Sequence, residues 1–309
     1  MRVLVYHPHL TAEYEVLLRG QLDLTILPCL TEDEVAARAP AADVVFGWRL
    51  PPGSLAAARR LRFVQLMGAG ADDLLADPTF DPRVPVACAR GSFGPWIAEY
   101  VLAMLLMVEK DIRRLVRQQE ASYWDPYRVG TLRGKVLGLA GLGSTRDLAR
   151  AAGALGMTVV GYRRTAGRVE GVRQVWCGSQ LPAFLSGLDY LVLALPLTLQ
   201  TQGRVGMTEF SYMKPSAWLI NIGRGRVVRE QDLVKALRAG VIRGAVLDVF
   251  AEEPLPPESP LWTMDNVVVT PHVAAPSLPQ EMVRLFLGNL RRQLAGQPLE
   301  GLVDRERGY

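Results

Sequence analysis

Short apolar runs alternate with helical patterns along the first part of the chain. The runs are four to six residues long, rich in Val and Leu, and bounded by turn residues: Arg2–Tyr6, Asp43–Phe46 and Leu61–Leu66. Runs of this length predict buried β-strands. Helical patterns fall between them, near residues 11–19, 31–39 and 53–60. Strands that alternate with helices predict a parallel sheet covered on both faces.

A nearly continuous apolar segment, from about residue 96 to 116, predicts one long buried helix that begins a second domain. The alternation then resumes with strands predicted at Lys135–Ala140, Met157–Tyr162, Tyr190–Leu195, Ala217–Ile222, Gly244–Phe250 and Asn266–Thr270. Helical stretches follow the first of these strands to about Leu155 and recur near 181–187, 208–213 and 230–239. The rhythm is that of a doubly wound nucleotide-binding sheet.

We therefore expect an α/β protein with two doubly wound parallel-sheet domains. The chain returns to the first domain after about Leu278 and ends with a helix through Leu294. One domain is predicted to consist of residues 1–95 and 279–309, and the other, a Rossmann domain, of residues 96–278. A chain of 309 residues that is 49% hydrophobic has enough apolar material for both cores.

Composition excludes several classes of function. The net charge of +4 comes without a dense basic run, so we expect no nucleic-acid partner. The widely spaced cysteines, Cys29, Cys88 and Cys177, form no metal-binding spacing and are typical of a reducing compartment. No segment is long and apolar enough for a membrane helix or a secretory signal. We expect a cytoplasmic protein with no metal and no membrane contact.

The first strand of the second domain runs directly into a glycine turn. Gly141 and Gly143 stand between this strand and a helix, which is the setting of a dinucleotide fingerprint. The third fingerprint glycine is replaced by Arg146. Either this helix packs further from the sheet, or Arg146 turns outward and meets the phosphates.

The residues after the next strand bear on the choice of cofactor. An acidic residue in this place would bind the ribose hydroxyls of NAD, but the chain has Arg163 and Arg164. Guanidinium groups hold a phosphate with charge-assisted hydrogen bonds. We predict that NADP(H) is preferred and that NAD(H) remains possible; the alternative is an exposed basic loop.

Three stretches at the ends of later strands carry the chemistry. They are Asn221-Ile-Gly-Arg-Gly225, Asp248-Val-Phe-Ala-Glu-Glu-Pro-Leu255 and Thr270-Pro-His-Val-Ala274. In this order they resemble the D-isomer-specific 2-hydroxyacid dehydrogenases over essentially the whole chain. The opening Val-Tyr-His-Pro, the loop Met67–Asp72 and the ending Val303–Tyr309 are most similar to the glyoxylate/hydroxypyruvate reductase A branch.

The resemblance implies an NADP-dependent oxidoreductase that reduces glyoxylate or hydroxypyruvate, with a flavodoxin-like substrate domain, a Rossmann domain and an active site in the cleft between them. It implies a homodimer. By motif, Arg224 grips the substrate carboxylate, His272 donates the proton and Glu253 holds the imidazole. Substrate contacts are implied for Trp48, Gly68, Ala69, Gly70 and Arg224. Cofactor contacts are expected at Gly141, Leu142, Gly143, Ser144, Thr145, Arg163, Arg164, Leu195, Pro196, Ile222, Gly223 and Asp248.

Elementary chemistry supports the catalytic residues independently. Hydride addition places negative charge on the keto oxygen, so an acid that titrates near neutral pH is needed. A neighbouring carboxylate favours the protonated imidazole, and a guanidinium fork matches a carboxylate in shape. For His7 and His9 the sequence favours structural roles, and for Asp248 a structural role competes with cofactor support.

Two alternative functions share these features. One is an NAD-dependent 2-hydroxyacid dehydrogenase with a different substrate range, which Arg163 and Arg164 disfavour. The other is a non-catalytic nucleotide-sensing scaffold, like the corepressors that share this fold. An assay with keto acids distinguishes the enzyme from the scaffold.

Overall fold

The computed structural model describes Met1–Tyr309, and the chain divides into two compact units. Unit 1 consists of Met1–Ser92 and Ser277–Tyr309, and unit 2 of Phe93–Pro276. From the sequence, the domain boundaries were expected between residues 95 and 96 and between residues 278 and 279. Each unit contains one all-parallel sheet, so the predicted fold class, two parallel-sheet α/β domains, is confirmed.

Unit 1 contains a five-stranded sheet with the order β2-β1-β3-β4-β5, which is flavodoxin-like. Its strands are β1 (Arg2–Tyr6), β2 (Thr25–Cys29), β3 (Val44–Gly47), β4 (Phe63–Leu66) and β5 (Val86–Cys88). Its helices are α1 (Thr11–Leu18), α2 (Glu32–Arg38), α3 (Asp72–Ala76) and α10, the last of the chain (Pro279–Leu294). The C-terminal segment packs into the core of unit 1, because Phe286 of α10 stacks on Phe46 of β3 with ring centroids 4.6 Å apart.

The sequence was wrong about a helix near residues 53–60. Hydrogen-bonded turns occupy this segment instead, beginning with Ser54 N–H to Pro51 O and Ala56 N–H to Gly53 O. Pro51, Pro52 and the left-handed Gly53 (φ 75°) prevent a regular helix from starting here.

Two strands of unit 1 were not predicted. Strand β2 is at the edge of the sheet, contains Pro28, and buries only Cys29 fully. Strand β5 is three residues long. Both lack the sustained apolar run that identifies a strand from sequence.

Unit 2 contains a seven-stranded sheet with the order β12-β11-β10-β9-β6-β7-β8. Its strands are β6 (Val136–Ala140), β7 (Thr158–Tyr162), β8 (Val175–Trp176), β9 (Tyr190–Leu193), β10 (Trp218–Asn221), β11 (Gly244–Leu247) and β12 (Val267–Val269). The helices are α4 (Gly94–Glu109), α5 (Ile112–Glu120), α6 (Arg146–Ala154), α7 (Leu181–Ser186), α8 (Met207–Ser211) and α9 (Glu230–Arg238). Strand order reverses between β6 and β9, and ligands of open α/β sheets bind at such a switch point.

The long helix predicted over residues 96–116 is in fact two helices, α4 and α5. Asp111 separates them in a left-handed conformation (φ 49°). Helix α4 buries Ile97, Val101 and Leu105, whereas α5 has no buried residue. The buried part of this segment is therefore α4 alone. The apolar pattern of the sequence continues past Asp111 and does not show where the first helix ends. None of the helices has the length and hydrophobicity required to span a bilayer.

Candidate active site

Three loops of unit 2 bring the predicted catalytic residues to one edge of the sheet. Arg224 follows β10, Glu253 follows β11 and His272 follows β12. These strands are parallel neighbours, so the loops at their carboxyl ends lie side by side. That edge is where open α/β sheets bind their ligands.

His272 and Glu253 form a hydrogen-bonded pair. The imidazole Nδ1 lies 2.8 Å from Glu253 Oε2, and the Phe250 N–H donates to Glu253 Oε1 at 3.1 Å. The His272 side chain is 33% exposed and that of Glu253 20% exposed. Since Nδ1 contacts the carboxylate, a proton transfer to a substrate would use Nε2.

Asp248 holds the loop on which His272 lies. Its carboxylate accepts hydrogen bonds from Thr270 Oγ1 at 2.6 Å and from the Val273 and Ala274 N–H groups, each at 2.9 Å. The residue is 1% exposed. The sequence assigned Asp248 to the cofactor site with a structural role as the competing interpretation, and the observed contacts are those of a structural role.

The Arg224 turn is fixed by Asn221, to which the sequence analysis assigned no role. Asn221, buried at the end of β10, donates from Nδ2 to Arg224 O and accepts at Oδ1 from the Gly223 N–H, both at 3.2 Å. Arg224 Nη1 donates to Gly223 O at 3.0 Å. An Asn followed by Gly two residues later is a signal for such a side-chain-stabilised turn.

Gly225 allows the Arg224 turn to pack directly on the segment after β11. A Cβ at this position would overlap the backbone of Phe250, whose N–H supports Glu253. We expect Gly225→Ala to lower the free energy of unfolding by about 1–3 kcal/mol, the usual range for overpacking. It should also lower kcat, because a shift of the Phe250 backbone would move the N–H group that donates to Glu253 and so disturb the Glu253–His272 pair.

Denaturant titration and steady-state kinetics measure both effects. Gly187→Ala is the matched control, since its Cβ would meet no atom within 4 Å. If Gly225→Ala behaved like the control, the close approach of these two segments would have no functional importance.

The residues of the glycine turn after β6 differ in burial and in what they contact. Gly141 has φ 98°, and a Cβ there would overlap the Ala194 carbonyl oxygen after β9. Thr145 is buried and donates from Oγ1 to Gly141 O at 2.8 Å, while Leu142 is buried against Gly161. Gly143 is exposed and faces open space, so it is the glycine beside which a phosphate has room.

Arg146 begins α6 and is exposed. This exposure agrees with the outward orientation of one of the two alternatives, and its contact with the phosphates stays a prediction. Ser144 is half-buried, as are Leu195, Pro196, Ile222 and Gly223, which follow the neighbouring strands β9 and β10.

The arginines after β7 differ from each other. Arg164 is exposed, whereas Arg163 is half-buried and donates from Nη2 to Ala166 O at 3.2 Å. The Arg163 Nε is buried and has no hydrogen-bond partner. A buried N–H donor without an acceptor is unusual in proteins, and an oxygen of a bound anion would satisfy it.

The substrate residues predicted in unit 1 also follow its strands. Trp48 follows β3, and Gly68, Ala69 and Gly70 follow β4. Trp48 is half-buried, and a Cβ on Gly68 would lie 2.9 Å from its Cζ3 atom, so the glycine makes space for the indole.

His7 stacks on the Trp48 ring, with centroids 6.0 Å apart. Burial lowers the pKa of the His7 imidazole to about 4, and its Nδ1 accepts from the N–H groups of His9 and Leu10. His7 is therefore neutral, and the structural role that the sequence favoured stays a prediction. No group of three or more His, Cys, Asp or Glu side chains in the structure is arranged to hold a metal ion.

Comparison with known proteins identifies the family. The model of the D-isomer specific 2-hydroxyacid dehydrogenase NAD binding domain matches residues 102–274. Glyoxylate/hydroxypyruvate reductase A of Yersinia enterocolitica is 34% identical over 282 residues, covering 87% of this chain and 88% of the relative. The enzyme of that name from Serratia proteamaculans is 32% identical over the full length of both chains.

Solved structures agree with the sequence comparison. A D-isomer specific 2-hydroxyacid dehydrogenase family protein from Aeromonas salmonicida has a TM-score of 0.90 at 33% identity, covering 98% of this chain and 99% of its own. The NADPH-dependent glyoxylate/hydroxypyruvate reductase of Sinorhizobium meliloti, in complex with NADP and sulfate, has a TM-score of 0.89 at 30% identity, covering 100% and 99%. The chain belongs to the D-isomer specific 2-hydroxyacid dehydrogenase family.

Proposed function

We propose that the protein is an NADPH-dependent reductase that converts a small 2-keto acid, glyoxylate or hydroxypyruvate, to the 2-hydroxy acid. The observation that carries this proposal is the His272–Glu253 pair, with 2.8 Å between Nδ1 and Oε2, on loops next to the Arg224 turn. This is an acid held by a carboxylate beside a cation that binds carboxylates. The two relatives named glyoxylate/hydroxypyruvate reductase A support the substrate class.

Each catalytic residue acts on a different part of the substrate. The Arg224 guanidinium binds the substrate carboxylate and polarises the keto oxygen. His272 holds a proton on Nε2 and delivers it to that oxygen as negative charge develops there. Glu253 orients the ring through its contact with Nδ1. Trp48 and the Gly68–Gly70 loop contribute further substrate contacts, with backbone N–H groups meeting the carboxylate.

The residues at the switch point of unit 2 fit a dinucleotide phosphate. Gly143 opens onto free space at the start of α6, and the unsatisfied Nε of Arg163 is suited to an anion's oxygen. When bound, NADPH supplies the hydride. The structure of the Sinorhizobium meliloti reductase with NADP supports this choice of cofactor.

A substrate panel tests the proposed function. The purified protein is assayed with glyoxylate, hydroxypyruvate, pyruvate and phosphohydroxypyruvate, each with NADPH and with NADH. Highest kcat/KM for glyoxylate or hydroxypyruvate with NADPH supports the proposal. Preference for NADH and another keto acid would favour an NAD-dependent dehydrogenase of other substrate range. Nucleotide binding without turnover would favour a corepressor-like scaffold.

Cofactor preference is expected to depend on Arg163 and Arg164. Each charge-assisted contact with the 2′-phosphate contributes about 1.5–3 kcal/mol, so two contacts favour NADPH over NADH by about a hundredfold or more at low salt. Arg163→Asp combined with Arg164→Ser should abolish this preference. Added salt should weaken the preference of the unmodified protein, because both groups are partly exposed.

The measurement is the ratio of kcat/KM values for NADPH and NADH at two ionic strengths. Arg168→Asp, on the same loop and exposed, is the matched control. Equal use of both cofactors by the unmodified protein at low salt would show that the arginines do not select the phosphate.

We further propose that the enzyme is a cytoplasmic homodimer. The resemblance to the family supports the dimer, and so do Tyr123 and Trp124 after α5, which are 63% and 93% exposed. Tyrosine and tryptophan are enriched in protein–protein interfaces relative to the rest of the surface. The sparse cysteines support a reducing compartment.

A further inference from the structure

A chain of hydrogen bonds connects helix α4 with the loop that carries His272. The Tyr100 hydroxyl of α4 lies 2.6 Å from Thr270 Oγ1, and Thr270 Oγ1 donates to Asp248 Oδ1, also at 2.6 Å. Thr270 stands two residues before His272. Tyr100 is not among the functional residues derived above. In this series of hydrogen bonds it is the residue that lies on a helix, whereas Thr270 and Asp248 lie at the ends of strands.

The direction of these hydrogen bonds follows from the acceptors. The Asp248 carboxylate is surrounded by donors, since the Val273 and Ala274 N–H groups also point at it. The single Thr270 hydroxyl proton is therefore used on Asp248, and Thr270 Oγ1 must accept from Tyr100. Burial raises the pKa of Tyr100 to about 12, which keeps its phenol protonated as a donor at neutral pH.

The backbone at His272 explains why such a clamp is needed. His272 has φ 55°, in the left-handed region, which is unfavourable for a residue with a Cβ. Conformations of this kind persist where surrounding contacts determine them. Here Thr270 ties down the chain before His272, Val273 and Ala274 tie it down after, and the His272 N–H itself donates to Asp248 O at 2.9 Å.

Tyr100 anchors this arrangement to a rigid element. Helix α4 is 16 residues long and is buried on the face that includes Val101 and Leu105. The hydroxyl of Tyr100 thus fixes the Thr270 side chain from a scaffold that does not depend on the loops themselves. Loss of the Tyr100 hydroxyl would leave Thr270 without this hydrogen bond. The Thr270 side chain would then be held less firmly against Asp248, and the segment that carries His272 would become more mobile.

We propose that Tyr100 is a positioning residue for proton transfer, acting through Thr270 and Asp248 on the loop of His272. The proposal rests on the proposed function, because it assigns His272 the role of the acid. It assigns Tyr100 no contact with substrate or cofactor.

The first test is kinetic. Tyr100→Phe removes one hydroxyl and keeps the ring, and the loss of one hydrogen bond should lower kcat about three- to tenfold. KM for the keto acid and the affinity for NADPH should stay within about twofold, because the loosened loop carries the acid and no group assigned to ground-state binding. Thr270→Val should give a similar loss, and Thr270→Ser should retain more activity than Thr270→Val. The double variant Tyr100→Phe/Thr270→Val should be no worse than the more impaired single variant.

The second test does not depend on turnover. The chain has only three histidines, so imidazole NMR resolves His272, identified by its loss in His272→Gln. Tyr100→Phe should shift or broaden the His272 signals and leave those of His7 and His9 unchanged. Tyr212→Phe, at an exposed tyrosine of the same unit, is the matched control and should change neither the spectrum nor kcat.

The two tests separate the possible failures. Tyr100→Phe with unchanged kcat and an unchanged His272 spectrum would overturn the proposal, and so would a lower kcat with an unchanged spectrum. A parallel loss of cofactor binding would also overturn it, because Tyr100 would then act on the fold of the unit. A changed His272 spectrum in a protein that reduces no keto acid would support the positioning role and reject the proposed function.

Discussion

His272→Gln is expected to lower kcat about a hundredfold or more, the usual scale for loss of a general acid. Glutamine preserves a polar side chain near Glu253 but cannot deliver a proton at neutral pH. Cofactor affinity should change little, since His272 is assigned to proton transfer and not to cofactor binding. Steady-state rates with glyoxylate or hydroxypyruvate, together with NADPH titration by fluorescence, measure both quantities.

His9→Gln is the matched control for this prediction. His9 is exposed, lies in unit 1 and has no catalytic assignment, so its variant should keep full turnover. If the kcat of His272→Gln were within tenfold of that of the unmodified protein, His272 would not be the general acid. The roles assigned to Glu253 and Asp248 would then also be wrong, because both act through His272.

Arg224→Ala is expected to raise KM for the keto acid and lower kcat together. The guanidinium binds the carboxylate in the ground state and also the charge that develops on the keto oxygen, so both parameters depend on it. At about 1.5–3 kcal/mol for each charge-assisted interaction, kcat/KM should fall at least a hundredfold. The measurement is a substrate saturation curve at fixed, saturating NADPH.

Two variants sharpen this result. Arg224→Lys should recover little activity, because an ammonium group lacks the planar fork that matches a carboxylate. Arg226→Ala is the control two residues along the chain, at an exposed arginine that donates to Ala251 O. Full recovery with Lys would mean that charge alone is required, and an equal loss in Arg226→Ala would mean that the turn as a whole has been disturbed.

The local pattern of the sequence was sufficient for most of the architecture. Buried parallel strands are near-continuous apolar runs, so strands such as β6, β9 and β10 are recognisable one by one and are confirmed. The glycine turn after β6 and the positions of Arg224, Glu253 and His272 at strand ends also follow from motifs in consecutive residues. The roles of these residues stay predictions until the variants are measured.

The tertiary structure decided the features that depend on contacts between distant residues. The break at Asp111 and the turns at residues 53–60 arise where burial ends or where prolines and a left-handed glycine interrupt an otherwise helical pattern. Strand β2 exists because β1 offers it an edge. Asp248 is close to Thr270 and Ala274 only once β11 and β12 are paired, and Tyr100 reaches Thr270 across 170 positions of sequence. Periodicity reports which face of an element is buried, whereas the partner of a buried polar group is set by the packing of the whole unit.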